Sequence, residues 1–100
     1  MSKRNWLVED NLVALYVALH EYENLKYDLG DIEDIIPHKS FPMRIQNYVA
    51  IDTGGAKGLD AALKSPLFNE LYAIFKDVCQ EKFARLVNSI LDVKSKVNKV

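Results

Sequence analysis

Arg44 and Asn47 stand three residues apart, so on a helix they share one face. Arginine pairs bidentately with guanine and asparagine with adenine, which makes these two the chain's best candidates for reading base edges. His38, Lys39 and Ser40 precede them, where a helix start attracts phosphate, and Lys57 follows in a glycine-rich stretch. The other reactive groups are scattered. His20, His38 and Cys79 lie far apart and do not have the spacing of a zinc site. His20 reads as a boundary histidine, and nothing close in sequence would activate Cys79, which reads as an inert buried thiol. Asp31, Glu33 and Asp34 lack the alternation and closing glutamate of a calcium loop and fit the electropositive start of a helix instead. Gly54-Gly55-Ala56-Lys57-Gly58 lacks the Lys-Ser/Thr that follows the last glycine of a phosphate-binding loop, and no strand precedes it. These patterns predict no catalytic residue, no cofactor and no metal.

The elements that must position Arg44 and Asn47 are helices. Val8, Leu12, Leu15, Leu19 and Tyr22 recur at steps of four and three, and Val13, Ala14, Val17 and Ala18 widen that stripe, so a first helix over about 6–22 is covered on two sides. Asn5 is its candidate cap. A short helix follows, with Asp31 as N-cap, Ile32, Ile35 and Ile36 on its buried side, and Pro37 as its stop. Ser40 opens a third helix with Pro42 in its first turn, ending near Asp52. Residues 53–64 are a glycine-rich connection. Ser65-Pro66 starts a last helix running to about 97, because Leu67, Leu71, Phe75, Val78, Phe83, Leu86, Ile90, Val93 and Val97 repeat without an intervening Gly or Pro. The fold class is all-α: a three-helix, helix-turn-helix-like core over 6–52 plus a long C-terminal helix. Trp6, Leu15, Ile35, Ile45, Tyr48, Leu71 and Phe75 should share one core.

One hundred residues accommodate one domain. A hydrophobic content of 49% against 27% charged residues excludes wholesale disorder. The single cysteine precludes an internal disulfide and suggests a reducing compartment, and no apolar run approaches the ~20 residues of a membrane span. With no apolar leader near Met1, the expected location is cytoplasmic. The net charge of −1 conceals an asymmetry: residues 1–37 carry −5, residues 38–58 carry +2 and residues 59–100 carry +2.

Several of these residues also resemble a known module. Trp6, Glu9, the Leu-Val-Ala-Leu-Tyr-Val-Ala-Leu run at 12–19 and, above all, Met43-Arg44-Ile45-Gln46-Asn47-Tyr48-Val49-Ala50-Ile51-Asp52 are similar to the N-terminal module of HNH-type, restriction-like endonucleases. The glycine-rich stretch from Thr53 to Ser65 extends the likeness, which covers roughly residues 5–80. That module precedes a nuclease domain and serves substrate recognition. The resemblance implies a DNA-facing role for Arg44 and Asn47. Leu7 and Val8 replace the module's polar residues, Phe41-Pro42 stiffens the start of the third helix, and no His-His-Asn nuclease core occurs in residues 1–100. The chain is not expected to cut DNA.

Two functions follow. The first is a non-enzymatic, helix-turn-helix DNA-binding module for duplex DNA, linked to restriction or mobile-element biology, with Arg44 and Asn47 on bases and Lys39, His38 and Lys57 on phosphates. The alternative is a small protein-interaction or inhibitor protein of phage type, favoured by the acidic first third. Assembly rests on a length argument. A helix from Pro66 to Lys94 would be about 43 Å long, against roughly 34 Å for a compact domain of this size. It must therefore either break near Gln80–Lys82 and fold back, or be covered by a partner. The reading favoured here is a homodimer through Leu86, Ile90 and Val93.

Overall fold

A computed structural model describes residues 6–37, 39–57 and 65–98. Those residues form five helices: α1 (Val8–His20), α2 (Leu29–Ile35), α3 (Phe41–Asp52), α4 (Pro66–Phe75) and α5 (Gln80–Asn98). The all-α class is as the periodicity predicts. The first helix is the hub. It is buried from Asp10 to Val17, packs most extensively on α3, and packs next on α5. The chief partner of α2 is α5, and that of α4 is α3. The three helices of the N-terminal part thus occur in the expected order, but α2 leans on the C-terminal helix.

The helix ends show which sequence cues govern. Leu7 is the N-cap of α1, and its backbone N–H donates to the Asp10 carboxylate at 3.2 Å; Asn5, the candidate named above, lies outside the described residues. The expected cap of α2, Asp31, sits three residues inside the helix boundary. Asp28 caps instead: its Oδ1 accepts from the Asp31 N–H at 2.9 Å, while Asp31 Oδ2 accepts from the Asp28 N–H at 3.3 Å. This reciprocal pair is a capping box, with Asp in place of the usual Glu at its third position. The glycine-rich stretch is a helix terminator. Gly54 adopts φ +64°, its N–H donates to the Ile51 carbonyl at 3.3 Å, and the Gly55 N–H donates to the Ala50 carbonyl at 2.8 Å. That is the Schellman arrangement, which needs a residue free to adopt left-handed geometry. Ser65 Oγ caps α4 by accepting from the Phe68 N–H at 3.4 Å, with Pro66 as the first helical residue.

A long C-terminal helix is present, but it begins at Gln80: the segment expected to be one helix over 65–97 is α4 and α5, broken just before the Gln80–Lys82 position given above as the alternative. The chain turns over Lys76–Cys79, where the Val78 N–H donates to the Phe75 carbonyl at 3.1 Å. No Gly or Pro marks the break. It folds the apolar stripe back so that Leu71 of α4 and Phe83, Val87 and Leu91 of α5 enter one core, with the Phe75 and Phe83 rings 5.0 Å apart. Burying those side chains outweighs the few helical hydrogen bonds lost at the turn. All seven residues expected in the core belong to that cluster, Trp6 and Phe75 at its edge. Among the described residues no helix is long and apolar enough to cross a membrane.

Candidate functional site

The residues singled out for base reading sit beside a polar knot at the start of α1. Asp10 and Asn11 are each 1% exposed, because α1 is walled in on every side just after its first turn. A buried amide must be hydrogen-bonded, and Asn11 is fully engaged. Its Nδ2 donates to the Leu7 carbonyl at 3.0 Å. Its Oδ1 accepts from Arg44 Nη1 and from the Tyr48 hydroxyl, both at 3.0 Å. Helix α3 delivers both donors, since residues 44 and 48 are one turn apart.

Arg44 is further held by aromatic rings. Its guanidinium carbon lies 4.1 Å from the centre of the Trp6 ring and 4.6 Å from that of Phe68, and Trp6 in turn stacks on Phe41 at 6.0 Å. A guanidinium between two π faces and on a buried amide joins the segment before α1, α3 and α4 at one point. Burial lowers the Arg44 pKa from its ordinary value. Burial also pushes the Tyr48 phenol well up, and the Arg44 charge opposes that rise. Arg44 is thus turned onto Trp6, Phe68 and Asn11. At the end of α3, Asp52 accepts from the Tyr72 hydroxyl at 3.0 Å.

The other nominated residues do not converge with Arg44. Asn47 is half-buried, on a flank it shares with exposed Met43. Lys39 is exposed before α3, and Lys57 is exposed after it, its backbone N–H donating to Thr53 Oγ1 at 3.0 Å. His38 lies outside the described residues. The side of α3 left to solvent therefore carries Pro42, Met43 and Gln46, none of them charged. Cys79 is exposed, in the turn between α4 and α5, where an inert buried thiol was expected.

Three features escaped the sequence reading. Lys94 Nζ lies 3.0 Å from the buried Asp10 carboxylate and 3.8 Å from Glu9, clamping the end of α5 to the start of α1. Asp92 accepts from Lys26 Nζ at 2.6 Å and from the Tyr27 hydroxyl, while Asn88 accepts from the Lys26 N–H at 2.9 Å and donates to the Asn24 carbonyl at 3.0 Å. These bonds pin residues 24–27 onto α5. His20 packs against Tyr16 and Phe83, and its Nε2 is buried without a hydrogen bond among the described residues. The available cue was α1 itself. A helix apolar on all sides is surrounded, so polar residues in its first turns become buried and need partners.

The residues nominated for a dimer lie on α5. Leu86 is 40% exposed, Val93 61% and Val97 65%, with Ile90 half-buried between them. At 100° per residue these four form one flank of the helix, spaced four, three and four apart, while Phe83, Val87 and Leu91 face the core. Exposed Lys82, Arg85 and Lys96 run beside that flank. Glu9, Ser89, Ile90, Val93 and Lys94 line a shallow hollow of 290 Å³ at its other edge. A second groove, of 460 Å³, runs between the end of α1, the start of α2 and α3. No protein family, no curated protein and no solved structure matches this chain.

Proposed function

We propose that this chain is a non-enzymatic protein-interaction module. The observation that carries this reading is the apolar flank of α5. The fold turns the C-terminal segment back on itself to bury its apolar residues, yet Leu86, Val93 and Val97 stay open to water beside three cations. Contiguous apolar side chains left outside a satisfied core are the usual mark of a surface meant for another molecule. The duplex-DNA reading loses support at Arg44, whose guanidinium is committed between Trp6, Phe68 and Asn11. Lys39 and Lys57 alone give a weak phosphate footprint. The link to restriction or mobile-element biology rests on the resemblance described above.

Site-specific photo-crosslinking in cells tests this. A photoreactive side chain at Val93 should yield protein adducts, and one at Met43, on the open side of α3, should yield no adduct to DNA. DNA adducts from position 43, together with a salt-sensitive shift of random duplex DNA that weakens in Lys39→Ala, would overturn the reading.

A further inference from the structure

Resting on the interaction-module reading, we propose that the open flank of α5 in one copy docks into the α1–α2–α3 groove of a second copy, so that the chain self-associates head to tail. The two surfaces have matching chemistry. The groove has an apolar floor of Val17, Ala18, Leu29, Ile45 and Val49, and Glu21, Tyr22 and Gln46 stand along it. Its rim is acidic. Glu21 lines the groove, and at α2 exposed Asp28 directly precedes groove-lining Leu29 while exposed Glu33 lies one turn beyond it. Burial first, and then these three carboxylates, raise the Tyr22 phenol above its ordinary value. The α5 flank offers the complement: a ridge of Leu86, Ile90, Val93 and Val97, about 17 Å long at the rise of an α-helix, edged by Lys82, Arg85 and Lys96. Aliphatic side chains meet an aliphatic floor, and cations meet a carboxylate rim.

The same charges argue against the two-fold pairing of α5 with itself. An isologous interface brings one patch against its own copy. Lys82, Arg85 and Lys96 would then crowd an identical cationic edge, and like charges brought together oppose association. Docking on the groove removes that conflict. It also makes the interface heterologous, because none of the residues named on the flank lines the groove. A contact of this kind leaves one groove and one flank free at the ends, so association continues past the dimer unless a ring closes. Four aliphatic side chains fall short of a standard interface, so the contact is weak and salt-sensitive.

Sedimentation velocity of the purified chain decides, from about 10 μM to about 1 mM at low and high salt, a range suited to a weak contact. The expected result is a weight-average coefficient that rises with concentration beyond the dimer value at low salt and falls back in high salt. Val93→Glu should be monomeric, and so should Glu21→Lys combined with Glu33→Lys. A mixture of the two variants, one with an intact groove and the other with an intact flank, should form a one-to-one dimer that grows no further. All these positions are exposed; if Val93→Glu loses helical signal, Val97→Glu replaces it. A wild-type chain that stays monomeric throughout overturns the proposal while leaving adducts at position 93, and hence the interaction-module reading, intact. Loss of association in Val93→Glu but not in the acidic-rim variant overturns it in favour of α5 pairing with α5. A monomeric chain that co-floats with anionic lipid vesicles overturns it in favour of a membrane surface.

Discussion

Asn11 has a short polar side chain in the most enclosed part of the molecule, and three of its neighbours depend on it. Replacing it with leucine leaves the Arg44 guanidinium and the Tyr48 hydroxyl without their shared acceptor. An orphaned buried donor costs about 1–3 kcal/mol, more when charged, so Asn11→Leu should lower the unfolding free energy by about 3 kcal/mol in urea titration. Arg44→Lys keeps the charge but loses the planar group that fits between Trp6 and Phe68, and should cost about 1–2 kcal/mol by the same measurement. His20 points the other way. Its Nε2 is buried without a hydrogen bond among the described residues, so His20→Leu should raise the unfolding free energy slightly, by about 1 kcal/mol. The sequence singles out Arg44 by type and spacing, but not the direction of its side chain. Helical spacing places a residue on a face; it does not say that an amide 33 residues earlier will claim its guanidinium. Asn11 carried no motif at all, and only the surrounding apolar run hinted that it would be interior.

The five helices differ in how plainly their ends are written. The start of α4 is legible because Ser65-Pro66 combines a side-chain acceptor with a residue that has no N–H to satisfy. The end of α3 was legible as glycine-rich but not as a cap: Gly54 is there for its φ of +64°, not for an anion. A Cβ at that position meets no neighbour, so Gly54→Ala tests the backbone alone and should cost about 1 kcal/mol by thermal unfolding. The break at Lys76–Cys79 carries no local signal, because the apolar spacing runs through it without a breaker. The length of the apolar stripe pointed to a break near Gln80–Lys82 only as the alternative to a covering partner, and burial of both halves in one core enforces it. What holds α5 in place afterwards is its far end. Lys94→Met removes one charged partner from buried Asp10 and should destabilise by about 1–3 kcal/mol, with part of that recovered in the Asp10→Leu, Lys94→Met double variant. On the opposite side of α5, hydrogen bonds from Lys26 and Tyr27 hold the Asp92 carboxyl below its ordinary value. A depressed carboxyl contributes stability that is complete above the unfolded pKa of about 3.9 and is lost as pH falls through the folded one. The protection factor of the Lys26 amide, whose acceptor is Asn88, should fall in that acid range as the Asp92 contacts are lost, and Asp92→Asn should lower it at neutral pH as well.

At the scale of the whole molecule, the class and the single core followed from composition and periodicity, whereas the pairing of helices did not. Nothing local says that α2 will lean on α5, since that contact joins segments some 60 residues apart and depends on the unsignalled turn before α5. One global property comes from the packing. All five tyrosines, Tyr16, Tyr22, Tyr27, Tyr48 and Tyr72, have phenols raised above the ordinary value, four of them chiefly by burial and Tyr27 chiefly by its bond to Asp92. A raised phenol contributes stability that is present below the unfolded pKa of about 10 and lost as pH climbs through the folded one. Tyrosinate absorbance should therefore lag behind that of free tyrosine on alkaline titration, and the fully buried Tyr16 and Tyr48 should ionise only with loss of the helical circular dichroism. Independent titration of the five phenols with the helices intact would contradict this.

The clamp between Asp10 and Lys94 also has a consequence during biosynthesis. The two residues are separated by 84 positions, and α1 cannot cover its apolar sides until α5 has been made. At a translation speed of about 5–20 residues per second, the ribosome takes about 4–17 s to polymerise that interval. Throughout it, Leu12 to Leu19 leave the exit tunnel with no finished core to join. The nascent chain thus cannot close its core before α5 has emerged, and its first helix is the segment a ribosome-associated chaperone would be expected to grasp.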